Sequence, residues 1–291
     1  MKKQTIQIVV IASAVAVTGY LYSLKPVRLQ SEEKSGHNNG MVAGSKPAPA
    51  ATAVNVEALS ATAKTAIGPN LSVHINELEG QLKAAQGTEK TSLQLQLAKA
   101  WDNVSQPAPA AFYYQAAAKS ENKFDDWLQA GNRFNSAFRV TQDSTLQATM
   151  LAGSVEAFTK ATAMQPNNLE AKTGLGVAYV NGGAPSPMQG ISLLLEVVGK
   201  EPNNWNANFN LGLFSMKSGQ FDKAVIRFTK LIEMKSGDKR SIEPYFYLAE
   251  SYKQLGEKEK AIAAYTACKE MMSDDPEFTK QIDRYISELK H

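Results

Sequence analysis

The feature that most constrains the fold is a pair of small-residue positions that recurs five times along the chain. The first position is the small residue that ends each of five dipeptides: Leu97-Ala98, Ala130-Gly131, Leu175-Gly176, Leu211-Gly212 and Leu248-Ala249. A second small residue follows each pair, with a bulky one four residues later: Ala110 and Tyr114, Ser154 and Phe158, Gly190 and Leu194, Ala224 and Phe228, Ala261 and Tyr265. Antiparallel helices approach closely only where small residues lie at their crossing. The pattern predicts a stack of helical hairpins.

This pattern resembles the tetratricopeptide repeat (TPR). The match is best over Trp205–Asp238, where Gly219 is the turn glycine and Phe221 the aromatic residue that follows the turn. The resemblance implies an all-α solenoid of about five TPR-like helix-turn-helix units over residues 91–275. A leading helix at 71–90 and a capping helix at 276–291 are expected at its ends. An insertion at Arg139–Thr149 predicts either a longer loop or lengthened helices in the second repeat.

Residues 1–30 are predicted to form an N-terminal transmembrane signal-anchor. No charged residue lies between Lys3 and Lys25, and Ile6–Leu24 as a helix would approach the ~30 Å of a bilayer's hydrocarbon core. The alternative is a cleaved secretory signal, which would yield a soluble secreted protein. A short cationic N-terminus before a long body favours a body outside the cytoplasm, which is the periplasm in a bacterium. This layout resembles single-pass, membrane-anchored TPR proteins of bacterial envelopes.

Residues 31–70 are predicted to be a disordered linker. They are rich in Ala, Gly, Pro and Ser and contain no aromatic residue, so they bury too little apolar surface to offset the chain entropy lost on folding. A short helix over Val54–Ala66 is the exception that the sequence allows.

Charge and residue inventory exclude several classes of function. The net charge of +3 arises within the first 34 residues, and the rest of the chain is neutral, so no nucleic-acid partner is expected. A single cysteine, Cys268, excludes a disulfide within the chain and a thiolate metal cluster. It occupies a small packing position, so a buried thiol is expected. We predict no catalytic residue, metal, cofactor or small-molecule substrate.

The resemblance implies that a protein or peptide partner binds in the concave groove lined by the first helices of the repeats. The groove positions of the family correspond here to Asn132, Asn135, Asn181, Asn206, Phe209, Asn210, Leu213, Lys217, Phe246, Tyr247, Glu250 and Lys253. Asparagine amides can pair with an extended backbone, and aromatic side chains can receive an apolar one. The implied function is that of a membrane-tethered interaction scaffold. An ordinary solvated face and a self-associating solenoid (a homo-oligomer) are the alternatives.

Overall fold

The computed structural model describes residues 54–182, 187–234 and 242–291. These residues form thirteen α-helices, and no strand occurs among them. The helices are α1 (Val56–Ile67), α2 (Pro69–Ala84), α3 (Gly87–Asn103), α4 (Pro107–Glu121), α5 (Phe124–Val140), α6 (Ser144–Met164), α7 (Leu169–Val180), α8 (Pro187–Lys200), α9 (Trp205–Lys217), α10 (Phe221–Glu233), α11 (Glu243–Gln254), α12 (Lys258–Met271) and α13 (Pro276–Lys290).

The described residues divide between two compact units, an N-terminal unit up to Val197 and a C-terminal unit from Val198 onward. Most consecutive helices within each unit pack against each other, among them α5 with α6 and α11 with α12. The first helices of successive repeats also contact each other, α5 with α7 and α9 with α11. The five predicted repeats correspond to the pairs α3/α4, α5/α6, α7/α8, α9/α10 and α11/α12. The prediction of an all-α helical-repeat fold is therefore confirmed.

Glycines set the closest approaches between helices. The ring of Phe158 in α6 lies over Gly131 of α5 and Gly174 of α7, where an added Cβ would be 2.8 Å and 2.1 Å from the ring. In α10 the ring of Phe228 covers Gly212 in the same way, at 2.8 Å. Real Cβ atoms do not approach ring carbons this closely, so each aromatic ring occupies space that only a glycine leaves open.

The insertion at Arg139–Thr149 lengthens two helices. Helix α5 has 17 residues and α6 has 21, and only residues 141–143 separate them. The Oδ1 atom of Asp143 accepts a hydrogen bond from the backbone N–H of Leu146 at 2.7 Å and caps α6. Of the two structures that the sequence allowed here, lengthened helices are the one that forms.

Helix α1 lies inside the segment predicted as a disordered linker, so disorder is wrong for residues 56–67, and the short helix that the sequence allowed over Val54–Ala66 is the one that forms here. The side chain of Asn55 caps this helix by accepting a hydrogen bond from the N–H of Ala58 at 3.1 Å. Ser60 and Ala63 are buried, and their contacts with the body stabilise a short helix that the linker composition alone does not predict. The remainder of the linker as far as residue 53 lies outside the described residues.

In the three described ranges, no helix has both the length and the apolar character that crossing a bilayer requires. The predicted span, Ile6–Leu24, lies outside these ranges. At the other end of the chain, α13 packs against α12 and buries Phe278, Ile282 and Leu289. This is the arrangement expected of a C-terminal capping helix.

A first prediction follows from the glycine contacts. We expect Gly174→Ala to lower the free energy of unfolding by about 1–3 kcal/mol or more, because the new methyl group overlaps the buried ring of Phe158. Urea unfolding followed by circular dichroism measures the change. The matched control is Gly80→Ala in α2, where nothing lies within 4 Å of the added Cβ. That variant is expected to gain about 0.5–1 kcal/mol from helix propensity. Equal stabilities for the two variants would contradict the proposed packing.

Candidate functional site

The predicted groove residues fall into two sets, one in each unit. Asn132 and Asn135 lie on α5, and Asn181 is the half-buried residue that ends α7. All three belong to the N-terminal unit. The other nine lie on α9 and α11 of the C-terminal unit.

In the N-terminal unit, asparagine side chains connect neighbouring helices. The Nδ2 atom of Asn132 donates to Oε1 of Glu170 in α7 at 2.8 Å. Asn135 donates from Nδ2 to the carbonyl oxygen of Gly174 at 3.1 Å, and its Oδ1 accepts a hydrogen bond from the Ser154 hydroxyl at 2.6 Å. Both polar atoms of Asn135 are therefore engaged by α6 and α7. The sequence predicts that the Asn135 amide binds a partner, but in the structure it links α5 to α6 and α7.

In the C-terminal unit, three of the predicted groove residues belong to the core. Phe246, Tyr247 and Glu250 are only 8%, 5% and 6% exposed, so the groove prediction is wrong at these positions. The ring of Tyr247 stacks on that of Phe228, with centroids 5.5 Å apart. Phe246 meets the ring of Tyr285 of α13 at 6.1 Å. A side chain covered on these sides presents almost no surface to a partner.

Glu250 and Lys253 are held by the last two helices of the chain. The carboxylate of Glu250 accepts a hydrogen bond from the hydroxyl of Tyr265 in α12. Burial, together with the negative charge of Glu250, raises the pKa of Tyr265 far above its ordinary value, so this hydroxyl stays protonated and keeps donating. The ammonium group of Lys253 lies 5.7 Å from the ring centroid of Tyr285 and 4.0 Å from a carboxylate oxygen of Glu288. Both groups therefore stabilise the C-terminal end of the fold.

The residues of α9 form the predicted groove surface that remains accessible. Asn206 and Lys217 are exposed, whereas Phe209, Asn210 and Leu213 are half-buried. Their spacing places them along one side of the helix. We call these five residues the α9 face. Lys217 is the only charged residue of α9, so the remainder of this surface is apolar or carries neutral amides.

An aromatic pair forms the floor at the N-terminal end of the α9 face. The rings of Trp205 and Phe209 stack with centroids 4.7 Å apart and planes at 15°, and Phe209 also contacts the ring of Tyr247 edge-on at 5.8 Å. The groove prediction did not include Trp205. Its signal in the sequence is the spacing of four residues between Trp205 and Phe209, which places two aromatic rings on one side of a helix.

Hydrogen bonding fixes part of the α9 face and leaves the rest available. Asn210 donates from Nδ2 to the backbone carbonyl of Asn206 at 2.8 Å, which fixes the orientation of its amide and directs Oδ1 away from that bond. The amide of Asn206 is exposed at the first turn of the helix. An exposed asparagine amide can both donate to and accept from a peptide backbone.

Groups with catalytic potential are few in the described part of the chain. Cys268 is fully buried, and burial raises the pKa of its thiol to about 12. A neutral, inaccessible thiol is not a nucleophile. Within residues 54–182, 187–234 and 242–291, no group of three or more His, Cys, Asp or Glu side chains is arranged to hold a metal ion.

One segment of the chain matches a known family, and the fold resembles solved structures. Residues 242–274, which contain α11 and α12, match the tetratricopeptide repeat family. No curated protein has a matching sequence. The structure of TTC0263, a thermophilic TPR protein in Thermus thermophilus, is similar with a TM-score of 0.50 and 17% identity, covering 67% of this chain and 97% of that one. Residues 242–274 of the C-terminal unit therefore match a single TPR, and the helical-repeat fold is similar to that of a solved TPR protein.

Two further solved structures are similar at a lower score. MamA 41-end from Desulfovibrio magneticus RS-1 has a TM-score of 0.48 and 18% identity, and the match covers 66% of this chain and 99% of that one. YrrB, a TPR protein with an unusual peptide-binding site, has a TM-score of 0.44 and 18% identity, with coverage of 66% and 91%.

The contacts of Glu250 give a second prediction. We expect Tyr265→Phe to lower the free energy of unfolding by about 1–3 kcal/mol or more, because a buried carboxylate loses its donor. Thermal and urea unfolding measure the loss. Tyr252→Phe is the matched control, since the ring of Tyr252 is half-buried on the preceding helix and the change should cost less than about 0.5 kcal/mol. A Tyr265→Phe variant as stable as the wild type would show that Glu250 does not depend on this bond.

Proposed function

We propose that this chain is an interaction scaffold of the TPR type that binds a segment of a protein or peptide on the α9 face. The observation that carries the proposal is the composition of that face. A stacked aromatic pair lies beside the exposed amide of Asn206 and one lysine, whereas the predicted groove residues of α11 are buried or engaged by neighbouring helices. The surface therefore combines apolar contact area with hydrogen-bonding groups, as peptide-binding surfaces do.

Residues of the α9 face and the neighbouring Trp205 have separate roles in this proposal. Trp205, Phe209 and Leu213 receive an apolar side chain of the partner, because partly buried aromatic groups on a rigid helix contribute most to affinity. The amide of Asn206 pairs with the partner's backbone. Lys217 lies at the opposite end of α9 from the aromatic pair. Its positive charge favours a partner segment that carries an acidic group there over one that carries a basic group. The aromatic floor is held by Phe228 and Tyr247, so little ordering cost is expected on binding.

Site-specific photo-crosslinking tests the binding face directly. A full-length chain carrying Asn206→p-benzoylphenylalanine is irradiated in its native cells, and crosslinked species are identified by mass. We expect a defined product with a partner protein, because the photoreactive group lies within the proposed contact, next to the aromatic pair of Trp205 and Phe209. The matched control is Lys230→p-benzoylphenylalanine on α10, the second helix of the same repeat, which should give no such product.

The same experiment discriminates between the alternatives. A product of twice the chain mass from position 206 would show that the face binds a second copy, as the self-association alternative requires. Crosslinking of one partner at equal yield from both positions would show that binding is not confined to the α9 face. A Lys217→Glu variant adds a test of charge: it should weaken capture without changing the melting temperature, because Lys217 is exposed.

We further propose that residues 6–24 anchor the scaffold in a membrane, with the body outside the cytoplasm. The support is the uncharged run from Ile6 to Leu24 and its length. The alternative, cleavage of this segment to release a soluble secreted protein, rests on the small residues within the run.

Fractionation of the full chain tests the anchor. We expect the wild type to sediment with membranes and to resist carbonate extraction. Val15→Arg should reduce this fraction strongly, because an arginine at the centre of a spanning helix costs about 2.5–3.5 kcal/mol. Ser31→Arg adds the same charge outside the run and should have little effect. Recovery of wild-type protein in the soluble fraction with a new N-terminus near residue 20 would support the secreted alternative and contradict the anchor.

A further inference from the structure

Helix α1 differs from the other helices in how it is attached. It contacts α2 and α4, and the single residue Gly68, with φ of +82°, joins it to α2. Its side chains bury little apolar surface, because Ala63, at 7% exposed, is its only buried apolar residue and the larger side chains of Val56, Leu59 and Ile67 are only partly buried. This partial burial holds the helix less firmly than the aromatic contacts between the repeats hold theirs.

Polar contacts to one carboxylate supply most of the specific attachment. Glu79 of α2 accepts hydrogen bonds from the hydroxyl of Ser60 and from the ammonium group of Lys64, the latter at 2.6 Å. Lys64 also donates to Oδ1 of Asn76 at 3.0 Å. Burial and the charge of Glu79 raise the pKa of the Tyr113 hydroxyl on α4, so the same carboxylate lies beside all three helices. Loss of its charge would weaken these contacts together.

Helix α1 is also too short to persist once released. It has 12 residues, and isolated helices shorter than about 12–15 residues are marginal in water. Detachment from α2 and α4 therefore means unfolding of the helix. The hairpin at Gly68 confines this unfolding to residues 55–68, because Pro69 begins α2 on the other side.

We propose that α1 is a clasp that opens as a unit while the repeats remain folded, and that the carboxylate of Glu79 is the group that holds it closed. Opening uncovers the surface of α2 and α4 around Tyr113 and releases residues 55–68 from the body. The clasp thus controls access to one surface of the N-terminal unit. It is independent of the proposed binding at the α9 face.

Hydrogen–deuterium exchange of the full-length chain tests the clasp. In the wild type, we expect amides of α1 to exchange much faster than those of α5, because opening of α1 does not require unfolding of the repeats. Glu79→Gln should raise the opening equilibrium of α1 about tenfold or more, which is the effect of losing one hydrogen bond to a charged group. Exchange in α5 and the melting temperature should stay close to those of the wild type.

The control is Glu77→Gln on the same helix. Glu77 is exposed, and its carboxylate faces His74 one turn away at 3.6 Å, so its substitution should leave exchange in α1 unchanged. Exchange of wild-type α1 in step with α5 would show that α1 is integral to the fold and would overturn the proposal. Equal acceleration of α1 and α5 in Glu79→Gln would also overturn it. Unchanged exchange in α1 of that variant would show that Glu79 does not hold the clasp.

Discussion

The contact between a bulky residue of one helix and a glycine of the next is the interaction on which each unit depends. The ring of Phe158 lies over Gly131 and Gly174 at once, so one side chain of α6 fixes both the helix before it and the helix after it. Phe228 covers Gly212 and stacks on Tyr247 of the following repeat. Because the ring fills space on both sides, the spacing of helices within a repeat and between repeats is set by the same residue.

This packing also determines which first-helix residues can contact a partner. Where Phe228 of α10 reaches the following first helix, it stacks on Tyr247 and removes that side chain from the surface. Tyr285 of α13 contacts Phe246 from the other side. The first helix α11 is therefore covered on both sides by aromatic rings, whereas α9 retains exposed side chains such as Asn206. The accessible surface is what remains after the repeats interlock.

The repeat frame could be predicted from the sequence because it depends on residue size at fixed spacing. Gly212 and the buried Cys268 both occupy positions that the pattern assigns to small residues. The depth of a first-helix residue could not be predicted in the same way. Helical periodicity places Tyr247 and Glu250 on the side of α11 that was predicted to line the groove. Their burial, however, depends on where side chains such as Tyr265 project from other helices. Helix α1 was anticipated only as a short helix allowed over Val54–Ala66, and its attachment to the body could not be predicted for a related reason. Composition predicts disorder for a segment without aromatic residues, whereas the carboxylate that holds α1 lies outside that segment.

The two ends of the described chain show two modes of attachment. Helix α13 buries Phe278, Ile282 and Leu289, and this apolar contact is supplemented by ion pairing with α12. Helix α1 buries Ala63, covers its larger aliphatic side chains only in part, and is held by polar contacts to Glu79. Apolar contacts are spread over many atoms and are lost only when the helices separate, whereas contacts to a single carboxylate are lost together when its charge is removed. We therefore expect α13 to unfold together with the repeats, and α1, the first of the described helices, to detach on a local change.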